Sequence, residues 1–302
     1  MSPVRGPVVP RRRLGAELRM LRERTGLTIE DVAKELECSV SKVSRLETGQ
    51  GIPKNRDVRD LLDRYKVTDQ AYRDRLMRWM RDGRRQGWWH DFSDVLAPDP
   101  SDPLLPDDLD RYVAFEQDAS EVRSFENTLV HGLLQTEDYA RAILGALSTA
   151  DSEATDRLVE LRMRRQDRLY VDEDPLKVHL IFDEAVLHRP VGGEQVMRAQ
   201  LKRLVADAQR PNITFQVLPF SVGAYSAAHG AFVMLAFPDS DDGDLVYVEG
   251  HLRDIYLEKE RDVDVYERMF NELVDVSMSA EQSLEFVTEL LTDSQKKGKE
   301  IQ

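Results

Sequence analysis

The sequence predicts two domains: an all-α five-helix domain at the N-terminus, then a larger α+β domain with a roughly four-stranded sheet and flanking helices. Three observations predict this. Apolar residues recur at helical spacing through residues 14–80, the mark of amphipathic helices. Strand-like apolar runs enter only from residue 177 onward. Between the two regimes lies APDPSDPLLPDD at 97–108, whose four prolines break helix and strand alike.

The helices of the first domain can be justified in order. Leu14, Leu18 and Leu21 share one face, and Gly26 stops that helix. Thr28 is placed to cap the next helix, with Asp31 completing a capping box and Val32, Ala33 and Leu36 forming the buried side. Ser39 caps a third helix whose apolar positions are Val43 and Leu46, with Gly49 as its stop. Val58, Leu61, Leu62 and Tyr65 make a fourth face; Tyr72, Leu76, Trp79 and Met80 make a fifth. Trp88, Trp89 and Phe92 are expected to dock the junction onto a core.

In the second domain Tyr112, Phe115, Ala119 and Val122 suit one helix, and 136–147 and 157–170 suit two more, Thr136 capping the first of these. KVHLIF, ITFQVL, AFVMLAF and LVYVEG read as four strands. A helix at 194–208 lies between the first two, and helices at 263–277 and 280–291 close the fold. The boundaries are a flexible arm at 1–10, the helical domain at 11–82, a junction at 83–109, the α+β domain at 110–293 and a polar tail at 294–302.

Composition narrows the class. With 41% hydrophobic and 32% charged residues the chain can bury real cores. No charge-free apolar run reaches the roughly 18 residues a membrane helix needs. The basic start lacks the apolar stretch of a secretory signal, and a single cysteine, Cys38, excludes an internal disulfide and a multi-cysteine zinc site. The expected compartment is the cytoplasm, at the nucleoid. The net charge of −14 conceals a division. Residues 1–90 carry 21 Lys and Arg against 13 Asp and Glu, while residues 91–302 carry 21 against 43. A basic first third can neutralise phosphates that the acidic remainder would repel.

The segment GLTIEDVAKELECSVSKVSRLETGQGIP supplies the geometry for such a role. A short helix is followed by a turn at Glu37 and Cys38 and a second helix beginning at Ser39. Small Ala33 allows close helix approach, while Val43 and Leu46 face inward. The leading turn of the second helix is left protruding. A helix about 10–12 Å wide fits the major groove of B-DNA. The stretch 12–64, through LTIEDVAKEL and SVSKVSRLETGQ, resembles the helix-turn-helix domain of the XRE regulators, the lambda repressor and Cro-like family. Glu37 departs from that pattern, which has glycine in the turn. Glu37 must then take a left-handed conformation or shift the turn, at roughly 1 kcal/mol.

Geometry assigns roles within this motif. Val40, Ser41, Lys42, Ser44 and Arg45 are expected to contact bases, Arg45 or Lys42 at guanine edges and Val40 at a thymine methyl. Thr28 and Ser39, at helix starts, and Arg11, Arg12, Arg13, Lys54 and Arg56 are expected at phosphates. For each isolated basic residue, a solvated side chain is the competing reading. Glu47 is expected in an ion pair or hydrogen bond inside the domain. Cys38 reads as a small core residue, since a redox role has no resolving thiol.

The larger domain also carries a resemblance. YVAFEQDASEVRSFENTLVHGLLQTEDYARAIL, QLKRLVADAQRPNITFQVLPFSVGAY, GAFVMLAFPD and LVYVEG are similar to the DUF5753 domain that follows an XRE module in many actinobacterial regulators. His131 stands where that family has proline. The resemblance implies a place in development or secondary metabolism and a small partner protein of the DUF397 type. It leaves any small-molecule ligand unknown.

Catalysis finds little support in the residues. No His pair has metal-ligand spacing, so no metal or cofactor is expected. Asp183 and Glu184 are more often caps than paired catalytic carboxylates. Ser221, His229 and Asp239 lack a nucleophile elbow. Tyr225 and His229, in the loop VGAYSAAHG, are candidates to line a pocket, with an ordinary turn as the competing reading. Arg157, Arg162, Arg164, Arg165 and Arg168 form either an anion site or a face paired with acids. The expected protein is therefore a non-enzymatic, homodimeric regulator on a palindromic double-stranded operator, its second domain serving dimerisation and the sensing of a signal or partner. The alternative is an antitoxin-like or anti-regulator protein that sequesters the small partner and uses the helix-turn-helix for autoregulation.

Overall fold

The computed structural model describes residues 7–96, 109–147, 152–238, 243–250 and 254–300. The chain divides into two compact units: one runs to Leu96 and includes 109–118, and the other contains the rest of the chain from Ala119 onward.

The first unit is helical: α1 Val8–Arg24, α2 Ile29–Glu35, α3 Val40–Glu47, α4 Asn55–Arg64, α5 Gln70–Asp82, the short α6 Ser93–Leu96, and α7 Leu109–Asp118. Its core is formed by Leu14, Leu18, Val32, Val43, Val58, Leu62, Leu76 and Met80, the residues that share apolar faces along the sequence. The caps form as their chemistry requires. The Thr28 hydroxyl accepts from the Asp31 N–H while the Asp31 carboxylate accepts from the Thr28 N–H. The Ser39 hydroxyl accepts from the Lys42 N–H. Glu37 takes φ 48°, the left-handed conformation that a non-glycine residue adopts at a cost. Gly15 allows α1 to approach the end of α3, because a Cβ there would lie 2.6 Å from the Leu46 and Glu47 carbonyl oxygens.

Two expectations are corrected in this unit. The arm predicted at 1–10 gives way to helix from Val8; the Asp118 carboxylate accepts from the Val8 and Val9 N–H groups at 2.8 and 3.0 Å, so a residue far along the chain caps α1. Residues 1–6 lie outside the described residues, as does the proline-rich run at 97–108. The helix predicted across Tyr112 to Val122 is two elements: α7 ends at Asp118 and a strand begins at Glu121. That helix packs with the first unit.

The second unit is α+β. Its strands are β1 Glu121–Glu126, β2 Lys177–Asp183, β3 Ile213–Leu218, β4 Phe232–Ala236, β5 Leu245–Val248 and β6 Ile255–Leu257. Its helices are α8 Glu137–Leu147, α9 Ser152–Arg165, α10 Glu184–His188, α11 Glu194–Asp207, α12 Glu260–Val276 and α13 Ala280–Glu300. The mixed sheet has the order β3-β2-β1-β4-β5-β6. β1, β2 and β3 are parallel, with Val122 opposite Val178 and Val178 opposite Ile213; β4, β5 and β6 are antiparallel, Phe125 facing Phe232. On one face Phe125, Ile181, Phe232, Met234 and Val246 pack against Val263, Phe270 and Leu273 of α12. Strand alternation turns Val122, Ser124, Leu180 and Phe182 to the other face, where they are equally buried.

The sheet thus has two strands more than predicted. β1 reads as EVRSFE, whose four polar residues hide a strand, yet Val122, Ser124 and Phe125 are fully buried in the middle of the sheet. β6 has only three residues. α13 continues through the predicted polar tail to Glu300, its Lys and Glu residues being good helix formers.

Buried glutamines shape the segment 130–136. The side-chain amides of Gln135, Gln166 and Gln200 donate to the carbonyls of Val130, Gly132 and Leu134 respectively. Arg203 donates to the Gln135 carbonyl. His131, where the resemblance implies a proline, has φ −56°, which a proline ring also imposes. Its Nδ1 accepts from the Leu133 N–H.

Candidate nucleic-acid interface

The interface is built on α3, which the Ser39 cap starts and the core positions of Val43 and Leu46 orient. A buried ion pair ties down its far end. Arg22 Nε and Nη2 donate to the two Glu47 carboxylate oxygens at 2.7 and 3.0 Å, and Arg22 Nη1 donates to the Leu27 carbonyl. The Glu47 carboxylate holds the Arg22 guanidinium above its ordinary value. Glu47 therefore acts inside the domain, joining α1 to α3.

With Val43, Leu46 and Glu47 turned inward, the outer side of α3 carries exposed Val40 and Ser41 with half-buried Ser44 and Arg45. Lys42 is directed elsewhere: its Nζ donates to Asp57 Oδ2 at 2.6 Å, which binds it to the first turn of α4. Thr28 and Ser39 are exposed at the starts of α2 and α3, their hydroxyls already used as caps. Lys54 and Arg56 are exposed, and Arg56 stands 3.5 Å from Asp60. Sequence reasoning missed Ile52. It is 46% exposed just beyond α3, and an isolated isoleucine in a turn gives no periodic signal.

The arginines of α1 divide. Arg11 is 1% exposed. Burial lowers its guanidinium to about 10, with Asp118 and Asp110 opposing the shift. It is an internal residue of the unit and cannot serve as the predicted phosphate clamp. The cause is α7, whose carboxylates the sequence places more than 90 residues away. The Arg12 guanidinium lies over the Phe115 ring and that of Arg13 over Trp79. Cys38 is half-buried against the core.

Several of the second unit's candidates are engaged within the fold. Tyr225 turns inward: its hydroxyl donates to Asp183 Oδ2 at 3.0 Å and its ring meets Phe125 edge-on. Burial, then the bond to Asp183, pushes its phenol up to about 12. His229, by contrast, is exposed. Asp183 Oδ1 accepts from the Ala185 N–H as the cap of α10, and Glu184 accepts from the Phe220 N–H. Asp239 lies outside the described residues. Arg157 pairs with Glu160, Arg162 donates to Gln135 and Arg168 to the Ala119 carbonyl. Among the described residues no group of three His, Cys, Asp or Glu side chains is placed to hold a metal ion. None of their helices is long and apolar enough to cross a membrane.

A capped helix pair presenting α3, followed by an α+β unit, defines a protein with a helix-turn-helix DNA-binding domain. Comparison with known families agrees: a helix-turn-helix domain matches residues 13–76, and the domain of unknown function DUF5753 matches residues 109–289. The chain belongs to the DUF5753 family. No curated protein and no solved structure matches it.

Proposed function

We propose that the chain is a sequence-specific transcriptional regulator that reads the major groove with α3. The observation that carries this reading is the outer side of α3, where Val40, Ser41, Ser44 and Arg45 remain accessible while Glu47 and Lys42 are held by Arg22 and Asp57. Arg45 supplies the guanine contact and Val40 the thymine-methyl contact. The helix starts at Thr28 and Ser39, with Lys54 and Arg56, supply phosphate contacts. One such helix buries too little surface for high specificity. The regulator is therefore a homodimer with two α3 helices about 34 Å apart on a palindromic operator. The DUF5753 domain serves dimerisation and reception of a signal or a small protein partner. The site of action is the nucleoid.

The test is binding to an operator selected from random duplexes. Arg45→Ala is expected to cost about 1–3 kcal/mol on that operator and little on random duplex. Equal losses on both would reduce Arg45 to a phosphate contact, and indifference to DNA at low salt would overturn the regulator reading.

A further inference from the structure

At the carboxyl end of β1, Ser124 and Glu126 point to the same face of the sheet, two residues apart on one strand. The Ser124 Oγ lies 2.6 Å from Glu126 Oε1 and 2.9 Å from the Phe232 carbonyl oxygen. Ser124 is fully buried. A hydroxyl has one proton. If it is donated to Phe232, the short contact to Glu126 is a hydrogen bond only when the carboxyl itself carries a proton and donates to Ser124. If Glu126 is ionised, the Ser124 proton turns toward the carboxylate, weakening or breaking its bond to Phe232. Both are full two-centre hydrogen bonds only with the neutral acid; with the carboxylate one hydroxyl proton is shared between two acceptors or given up by Phe232.

The surroundings favour that acid. Glu126 retains some exposed surface, but its carboxyl sits inside the fold, and that burial pushes it up to about 8; the charge of Glu249, which follows β5, adds to the shift, and the contact with Ser124 opposes it. On α8, Tyr139 is itself raised by burial and feels both Glu126 and Arg189, the residue after α10. On neighbouring β2, the Asp183 carboxylate is engaged by Ala185 and Tyr225.

Phe232 is the first residue of β4, where the segment 219–231 rejoins the sheet after crossing from β3. That segment is held midway by Tyr225 on Asp183. We propose that Glu126 is a proton-binding latch of the DUF5753 domain, closed when its carboxyl is neutral and released when the proton leaves to solvent. Release turns the Ser124 hydroxyl from Phe232 to the carboxylate and sets a second negative charge beside Glu249. Segment 219–231 then loses one of its tethers. The domain thus responds to pH in the range around neutrality, independently of any DNA site.

The sign follows from linkage. A carboxyl that is raised in the closed state binds more protons there than in the open state, so closure weakens as pH rises from the ordinary glutamate value to about 8 and is constant above it. Hydrogen exchange of segment 219–236 in the full chain is compared with that of Glu126→Gln at each pH, so that the intrinsic base catalysis of exchange cancels. The glutamine amide can donate to Ser124 without ionising. Between pH 5 and 8 the ratio of wild-type to variant exchange should climb by up to about tenfold per pH unit, then level off. A pH-independent ratio overturns the latch. Infrared spectroscopy of the wild type needs no variant: a protonated-carboxylic-acid band that persists past neutrality and disappears with an apparent pKa near 8 supports it, whereas loss of every such band below pH 6 overturns it.

Discussion

The ion pair beneath α3 makes a large, checkable claim. Both charged groups are nearly dry, with the Arg22 side chain 9% and that of Glu47 5% exposed. Replacing Glu47 by alanine leaves the guanidinium buried with only the Leu27 carbonyl and Glu23, 3.6 Å away, as compensation. Breaking a buried pair from one side typically costs about 3–5 kcal/mol. The residual partners place this case near the low end, at about 3 kcal/mol, a large share of a typical domain's stability. A double replacement, Arg22→Met with Glu47→Leu, removes both charges and should recover most of that loss. Denaturant unfolding followed by tryptophan fluorescence is the appropriate assay. Trp79, Trp88 and Trp89, the only tryptophans, all lie in the first unit, so the signal reports that unit alone. A cost below about 1 kcal/mol for the single change, or a double variant no more stable than the single one, would refute the argument that desolvated charge dominates this site.

Two further outcomes follow from the same motif. Glu37→Gly should stabilise the first unit by about 0.5–1 kcal/mol: relief of left-handed strain exceeds the entropy glycine adds to the unfolded chain. A lowered midpoint in the same fluorescence assay would show that Glu37 pays no such strain. Asp57→Asn should release Lys42 from α4, strengthening binding to random duplex and increasing the magnitude of the salt slope by up to about one phosphate contact; an unchanged slope would leave Lys42 outside the phosphate contacts in both proteins.

The helix-turn-helix was legible because its determinants are local. Thr28 and Asp31, or Ser39 and the Lys42 N–H, meet across a single helical turn. The strain at Glu37 follows from one departure in a known pattern. Strands β2 through β5 were legible because both their faces are buried, so their apolar runs are nearly continuous. β1 was not legible, although it lies at the centre of the sheet. Its Arg123 meets Asp244 and Glu267, and its Ser124 meets Phe232; polar strand residues are accommodated by partners more than 100 residues away.

What the sequence determined by itself is the helix-turn-helix, its caps and the core faces of its helices, because these depend on periodicity and on caps spanning three or four residues. Only the tertiary structure decided which charges remain available. It buried Arg11 beneath α7, bound Lys42 to Asp57, joined Arg22 to Glu47 and placed Glu126 beside Ser124 and Glu249. Whether a charged side chain is solvated, paired or desolvated depends on groups brought close by folding, and no local pattern in the chain records that proximity.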